Sequence, residues 1–128
     1  MSEVPKICRL VDFVRMVAED FNVEAPGIVV GGLEKVKEKC GAEANGCYNY
    51  VDKQIVLYKD AGLETLLHEF CHHLQYVRSG EKYGEAFKNL EQPHCMRPHE
   101  EEAKSFAYAY ELFYRGKFRE MGLEHGFE

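Results

Sequence analysis

The chain has 128 residues, 45 % of them hydrophobic and 30 % charged, so one compact domain spanning 1–128 is expected and two are excluded. Sixteen Lys and Arg against 22 Asp and Glu leave a net charge of −6, which offers no electrostatic footprint for nucleic acid or anionic lipid. No apolar run approaches the roughly 18 residues of a membrane helix, and Met1-Ser2-Glu3-Val4-Pro5-Lys6 puts an acid and a proline where a signal peptide is apolar. The expectation is a cytoplasmic protein with neither nucleic-acid nor membrane partners. The five cysteines, Cys8, Cys40, Cys47, Cys71 and Cys95, are odd in number and form no C-x-x-C pair. They read as buried thiols in a reducing cytosol, not as a disulfide framework or a four-thiolate zinc site.

In chain order, Ile7, Leu10, Val11, Val14 and Val17 recur at helical intervals and predict a helix over 6–22, stopped by Pro26-Gly27. Ile28-Val29-Val30 reads as a short buried strand. Leu33 to Cys40 is a charge-rich helix around Val36, ended by Gly41. Gly46–Tyr50 and Gln54–Tyr58 suit two strands with a turn at 51–53. Ala61 to Arg78 is helical, with Ser79-Gly80 as its stop, and a short helix is expected around Glu85–Leu90. Pro98 opens a last helix whose first turn carries Glu100, Glu101 and Glu102, acids that suit the positive end of the helix dipole. That helix is expected to run to Tyr114 and break at Gly116. The class is α+β: a short sheet and hairpin packed on two helices that carry the chemistry.

The chemistry centres on His68-Glu69-Phe70-Cys71-His72, an H-E-x-x-H. On a helix His68 and His72 lie one turn apart on one face, so both imidazoles reach one ion. Glu69 projects about 60° from His72, able to reach a water beside the ion without being a ligand, while Leu67, Phe70, Cys71 and Leu74 form the apolar face. A catalytic zinc takes a third protein ligand. The extended form of the motif fails, because Gln75 and Arg78 stand where Gly and His are required. His94, Cys95, His99 and Glu100 are the candidates further on.

His68-Glu69-x-x-His72 followed by Glu100-Glu101-Glu102-Ala103 and Phe106-Ala107 resembles the gluzincin metallopeptidases, over residues 46–115. Thermolysin is a distant relative of this type. The CAAX-processing membrane peptidases are nearer, and the small soluble minigluzincins are nearest in size. The resemblance implies a zinc site in which Glu100 is the third ligand and Glu69 the general base. Ala103 one turn on would let the two helices approach. His99 is the alternative ligand, since minigluzincins also look able to use histidine. Lys104 departs from the pattern, standing where an aspartate often orients a zinc histidine. Glu101 and Glu102 read as an acid-rich first turn.

His73 lies a quarter-turn round and reads as solvated or hydrogen-bonded, and Cys71 as packing. Tyr108, Tyr110 and Tyr114 are candidates for stabilising an oxyanion, while Phe106, Tyr110 and Phe113 are spaced like a core stripe. The expected function is zinc-dependent hydrolysis of a peptide or protein held along one of the two strands. The rival is a non-catalytic, zinc-stabilised domain that binds a partner or its own copies; the intact Glu69 argues against it. A deformylase-type hydrolase would need an upstream cysteine ligand, in a motif absent around Cys40 and Cys47. The tail 117–128 has apolar anchors at Phe118, Met121, Leu123 and Phe127, and Glu124, His125 and Glu128 are capable of reaching a metal. It reads either as a last turn packed on the domain or as a segment that covers the cleft of its own chain or, through self-association, a neighbour's.

Overall fold

A computed structural model describes residues 4–80 and 98–128. The elements are α1 (Lys6–Asp20), β1 (Gly27–Gly31), α2 (Leu33–Cys40), β2 (Gly46–Asn49), β3 (Gln54–Tyr58), α3 (Leu63–Ser79) and α4 (Pro98–Glu120). This is the expected α+β arrangement. The stretch Glu85–Leu90 lies outside the described residues.

The sheet has the order β1-β3-β2. Ile55, Val56 and Leu57 are buried in succession, the signature of a strand covered on both faces, and β3 is accordingly central. It pairs parallel with β1, Val29 opposite Val56, and antiparallel with β2, Cys47 opposite Val56. Gly41, left-handed at φ 78°, ends α2 and turns the chain toward β2. A side chain at Gly46 would meet the Val56 carbonyl at 2.8 Å and Thr65 at 3.1 Å, so glycine lets β2 lie close to both β3 and α3.

The core gathers Leu10, Phe13, Val14 and Val17 of α1, Ile55 and Leu57 of β3, Leu66, Leu67, Phe70 and Leu74 of α3, and Ala107, Tyr114 and Phe118 of α4. The two chemistry-bearing helices run antiparallel: Gln75 meets His99 and Glu102, while five residues earlier Phe70 stacks on Phe106. Ala103 and Ala107, one turn apart and fully buried, keep their crossing close.

Three expectations are corrected. Gly116 does not break the last helix, which continues to Glu120. A glycine costs a helix about 1 kcal/mol, whereas Phe118, buried edge-on against Phe13, contributes roughly 1.5–3 kcal/mol by leaving water. Packing therefore carries the helix through. The cysteines are not all buried thiols: Cys40 and Cys47 form a disulfide, Cys8 is exposed and Cys71 is buried. The cause is the reversal at Gly41, which brings the end of α2 and the start of β2 to a Cα separation of 5.8 Å. Phe113 is not core; it is 71 % exposed, while Phe106 and Tyr110 pack against the core.

The chain beyond Glu120 folds back onto α1 and the turn after β3. Leu123 and Phe127 are buried, the Phe127 N–H donates to the Lys59 carbonyl at 2.7 Å, and Arg9 donates to the Met121 carbonyl. Phe118→Ala should accordingly destabilise the protein by about 3–5 kcal/mol, read from the denaturant midpoint. A loss below about 1 kcal/mol would place this helix end outside the core.

Candidate metal centre

Helix α3 presents His68 and His72 toward α4, and Glu100, in the first turn of α4, points back between them. His68 Nε2 lies 3.0 Å from Glu100 Oε2, and His72 Nε2 lies 2.7 Å from Glu100 Oε1. One ligand atom from each of the three residues falls within 4.8 Å of the others. Glu100 is 4 % exposed, so its carboxylate has been taken out of water and needs a positive partner where it sits.

Gln75 decides what that partner can be. Its amide nitrogen donates to the His99 carbonyl at 2.9 Å and to the Glu102 carboxylate at 3.1 Å. Its carbonyl oxygen is thereby turned to His72 Nδ1, 2.7 Å away, and accepts the proton there. A neutral His72 then aims the lone pair of Nε2 at a carboxylate oxygen 2.7 Å distant. Two facing lone pairs at that separation are relieved by a proton shared between Nε2 and the carboxylate, or by a metal ion beside both atoms that takes the proton's place. Burial lowers the pKa of His72, but the Glu100 hydrogen bond and the Glu69 and Glu100 charges outweigh it and leave the imidazole above its ordinary value. Two imidazoles and one carboxylate, with one imidazole oriented from behind, are a donor set that fits a divalent metal such as zinc.

Glu69 is 8 % exposed and lines the same cavity as the cluster. Burial pushes its carboxyl up, the two imidazoles pull it down and Glu100 raises it; the net is upward. The cavity measures about 520 Å³. Beyond the cluster it is lined by Cys40, Ala42, Ala44, Gly46, Cys47, Tyr48 and Tyr50, with Glu43 as the one charged member of that stretch. Strand β2 forms part of this lining and is an outer strand, whereas β3 is paired on both sides.

Other residues singled out in the sequence lie elsewhere. His99 contributes its backbone carbonyl to Gln75, and its side chain is not part of the cluster. His94 and Cys95 lie outside the described residues. Glu101 is exposed. Glu102, expected to be a bystander, anchors Gln75 and so fills from another position the orienting role that Lys104 leaves vacant. Among the described residues the cavity is not lined by Tyr108, Tyr110, Tyr114 or any residue of 117–128. The Tyr114 hydroxyl instead donates to Asp20 at 2.7 Å, and Tyr108 is 83 % exposed. Cys71 is packing, its thiol pushed up to about 12 by burial and by Glu102. Cys40 and Cys47 spend their sulfurs on each other and offer no thiolate.

His73 is buried and hydrogen-bonded, not solvated. Its Nε2–H donates to the Glu24 carbonyl at 2.8 Å, which leaves Nδ1 to accept the Tyr48 hydroxyl at 2.8 Å. Burial holds His73 below its ordinary pKa and Tyr48 above its own. A neutral pair thus pins β2 to α3 beside the cavity. Neither this pair nor Gln75 is readable from the sequence, because each depends on which element packs opposite. No family model matches the chain, and no curated protein or solved structure matches it.

Zinc titration should give about one ion per chain, with binding lost in His72→Ala and in Glu100→Ala but kept in His99→Ala. Gln75→Leu, which frees the His72 ring, should weaken binding about 10–100-fold; unchanged affinity would remove Gln75 from the site. Because the Glu100 hydrogen bond and the Glu69 and Glu100 charges hold His72 above its ordinary pKa in spite of burial, proton and metal compete for Nε2. Affinity should rise with pH through the neutral range, with proton release on binding. Calorimetry in buffers of different ionisation enthalpy measures that release, and its absence would contradict the lone-pair geometry.

Proposed function

We propose that this protein is a zinc-dependent peptidase of the gluzincin type, acting on extended peptide segments. The observation that carries the reading is the convergence of His68, His72 and Glu100, with the buried Glu69 beside them and open to the same cavity. His68, His72 and Glu100 would hold the ion, which supplies a Lewis acid and lowers the pKa of water at the site.

The chain's own groups supply the rest. Glu69, one residue after the first imidazole and outside the ligand set, would take a proton from water at its carboxylate and return it to the leaving nitrogen. Its raised pKa suits a group that must hold the proton between those events. Strand β2, at the sheet edge and lining the cavity, supports an extended peptide laid alongside it by backbone hydrogen bonds. Since β3 has both edges occupied, β2 is the strand that serves this reading. Gln75 and Glu102 keep the His72 ring fixed so that bond cleavage is not accompanied by its rotation.

Glu69→Gln is the discriminating variant. It should retain zinc and the fold, yet lose cleavage of a peptide library by about 10²–10⁴-fold. Cleavage at the wild-type rate in the variant would rule out the mechanism, and a zinc-loaded wild type inert toward the whole library would favour a zinc-stabilised binding domain.

A further inference from the structure

The cavity beside the candidate metal centre has a smaller neighbour. A second cavity of about 210 Å³ is lined by Asn45, Gly46, Glu64, Thr65, His68 and Glu69. Gly46, His68 and Glu69 line the cavity of about 520 Å³ as well, so the two adjoin at the first imidazole and at the buried carboxylate. Side chains seated in both lie within about three residues of each other along an extended peptide, at roughly 3.3 Å per residue.

The two cavities differ in size and in chemistry. The larger takes Ala42, Ala44, Tyr48 and Tyr50 from the chain around β2, with Glu43 beside them. Two alanines leave room, and two aromatic rings offer surface, for a bulky apolar side chain. The smaller has the Asn45 amide, the Thr65 hydroxyl and the Glu64 carboxylate in their place. Glu64 lies in the first turn of α3, four residues before His68 and on the same face. It is exposed, and among the described residues it forms no ion pair. A carboxylate there, with that of Glu69 in the same cavity, draws a cation and repels an acid, and the net charge of −6 acts in the same sense. One helical turn, about 6 Å along the axis, separates Glu64 from His68, so the cation that suits it is carried on a long side chain that reaches past the cluster.

We propose that this site selects peptides by two neighbouring side chains, a bulky apolar one in the larger cavity and a lysine or arginine in the smaller. Glu64 sets the charge preference, and Ala42 and Ala44 set the size preference. The proposal rests on the peptidase reading for the position of the scissile bond, but the two cavities select a bound peptide whether or not it is cut.

Peptide capture by the full chain carrying Glu69→Gln, in buffer containing zinc, reads that selection without cleavage. From a library of random short peptides, the retained sequences should be enriched at least about tenfold in Phe, Leu or Tyr. They should be enriched about two- to fivefold in Lys or Arg, close to the apolar residue in sequence. Glu64→Lys and Ala44→Phe, both at exposed positions, are made in the same background and should keep its circular dichroism. Glu64→Lys should turn the charge preference toward Asp and Glu and leave the apolar preference. Ala44→Phe should turn the apolar preference toward small side chains and leave the charge preference. Retained sequences with neither preference, capture of no peptide at all, or a Glu64→Lys variant that still selects lysine would overturn the proposal. If both preferences appear and the zinc-loaded wild type cuts none of the retained peptides, the peptidase reading fails and the selection stands.

Discussion

The buried Glu100 carboxylate is the constraint around which this fold is arranged. A carboxylate deprived of water must be compensated within a few ångströms or give up its charge. Here compensation comes from two imidazoles one helical turn apart on a different helix. Those contacts demand that the first turn of α4 cross the middle of α3 closely, and the alanines at 103 and 107 make that crossing sterically possible. The crossing in turn brings Glu102 and the His99 carbonyl to Gln75, which settles the tautomer of His72. Packing, electrostatics and proton position are therefore one linked arrangement, and a change at any of them is felt at the other two.

What could be read from residues alone follows the range of the interaction concerned. His68, Glu69 and His72 are legible because their relationship is written in a spacing of four on a single helix. Glu100 is not: its place beside them depends on a helix crossing that no periodicity encodes, and only its resemblance to a known pattern singled it out. By its position in the motif Gln75 is only a mismatch, the residue standing where the extended pattern needs a glycine. Its importance depends on α4, a separate element. The Tyr48–His73 pair and the Cys40–Cys47 bond are likewise products of tertiary approach. Gly116 misled for the opposite reason. Its local preference is real, but burial of Phe118 two residues later outweighs it.

The two faces of α4 divide its work. Its inner side is made of small and aromatic residues that fit α1 and α3, and its first turn is given to polar groups that meet α3. Its outer side carries side chains that the rest of the domain leaves in water. A single helix thus connects the buried polar cluster at one end to an apolar exterior along its length.

The disulfide has a consequence of its own. It joins residues only seven apart in sequence, and in the chain-entropy description such a short loop is worth about 2.5 kcal/mol. That is close to the burial of one aliphatic side chain, and α2 buries just one, Val36. The bond and that valine are thus comparable anchors for α2 and the residues that follow it, while the main core lies elsewhere. If the bond is reduced, the first part to open is this subunit of structure and not the whole domain. Since Cys40, Ala42, Ala44 and Cys47 line the cavity, the shape of that side of it depends on whether the bond is formed, while the cluster on α3 and α4 does not.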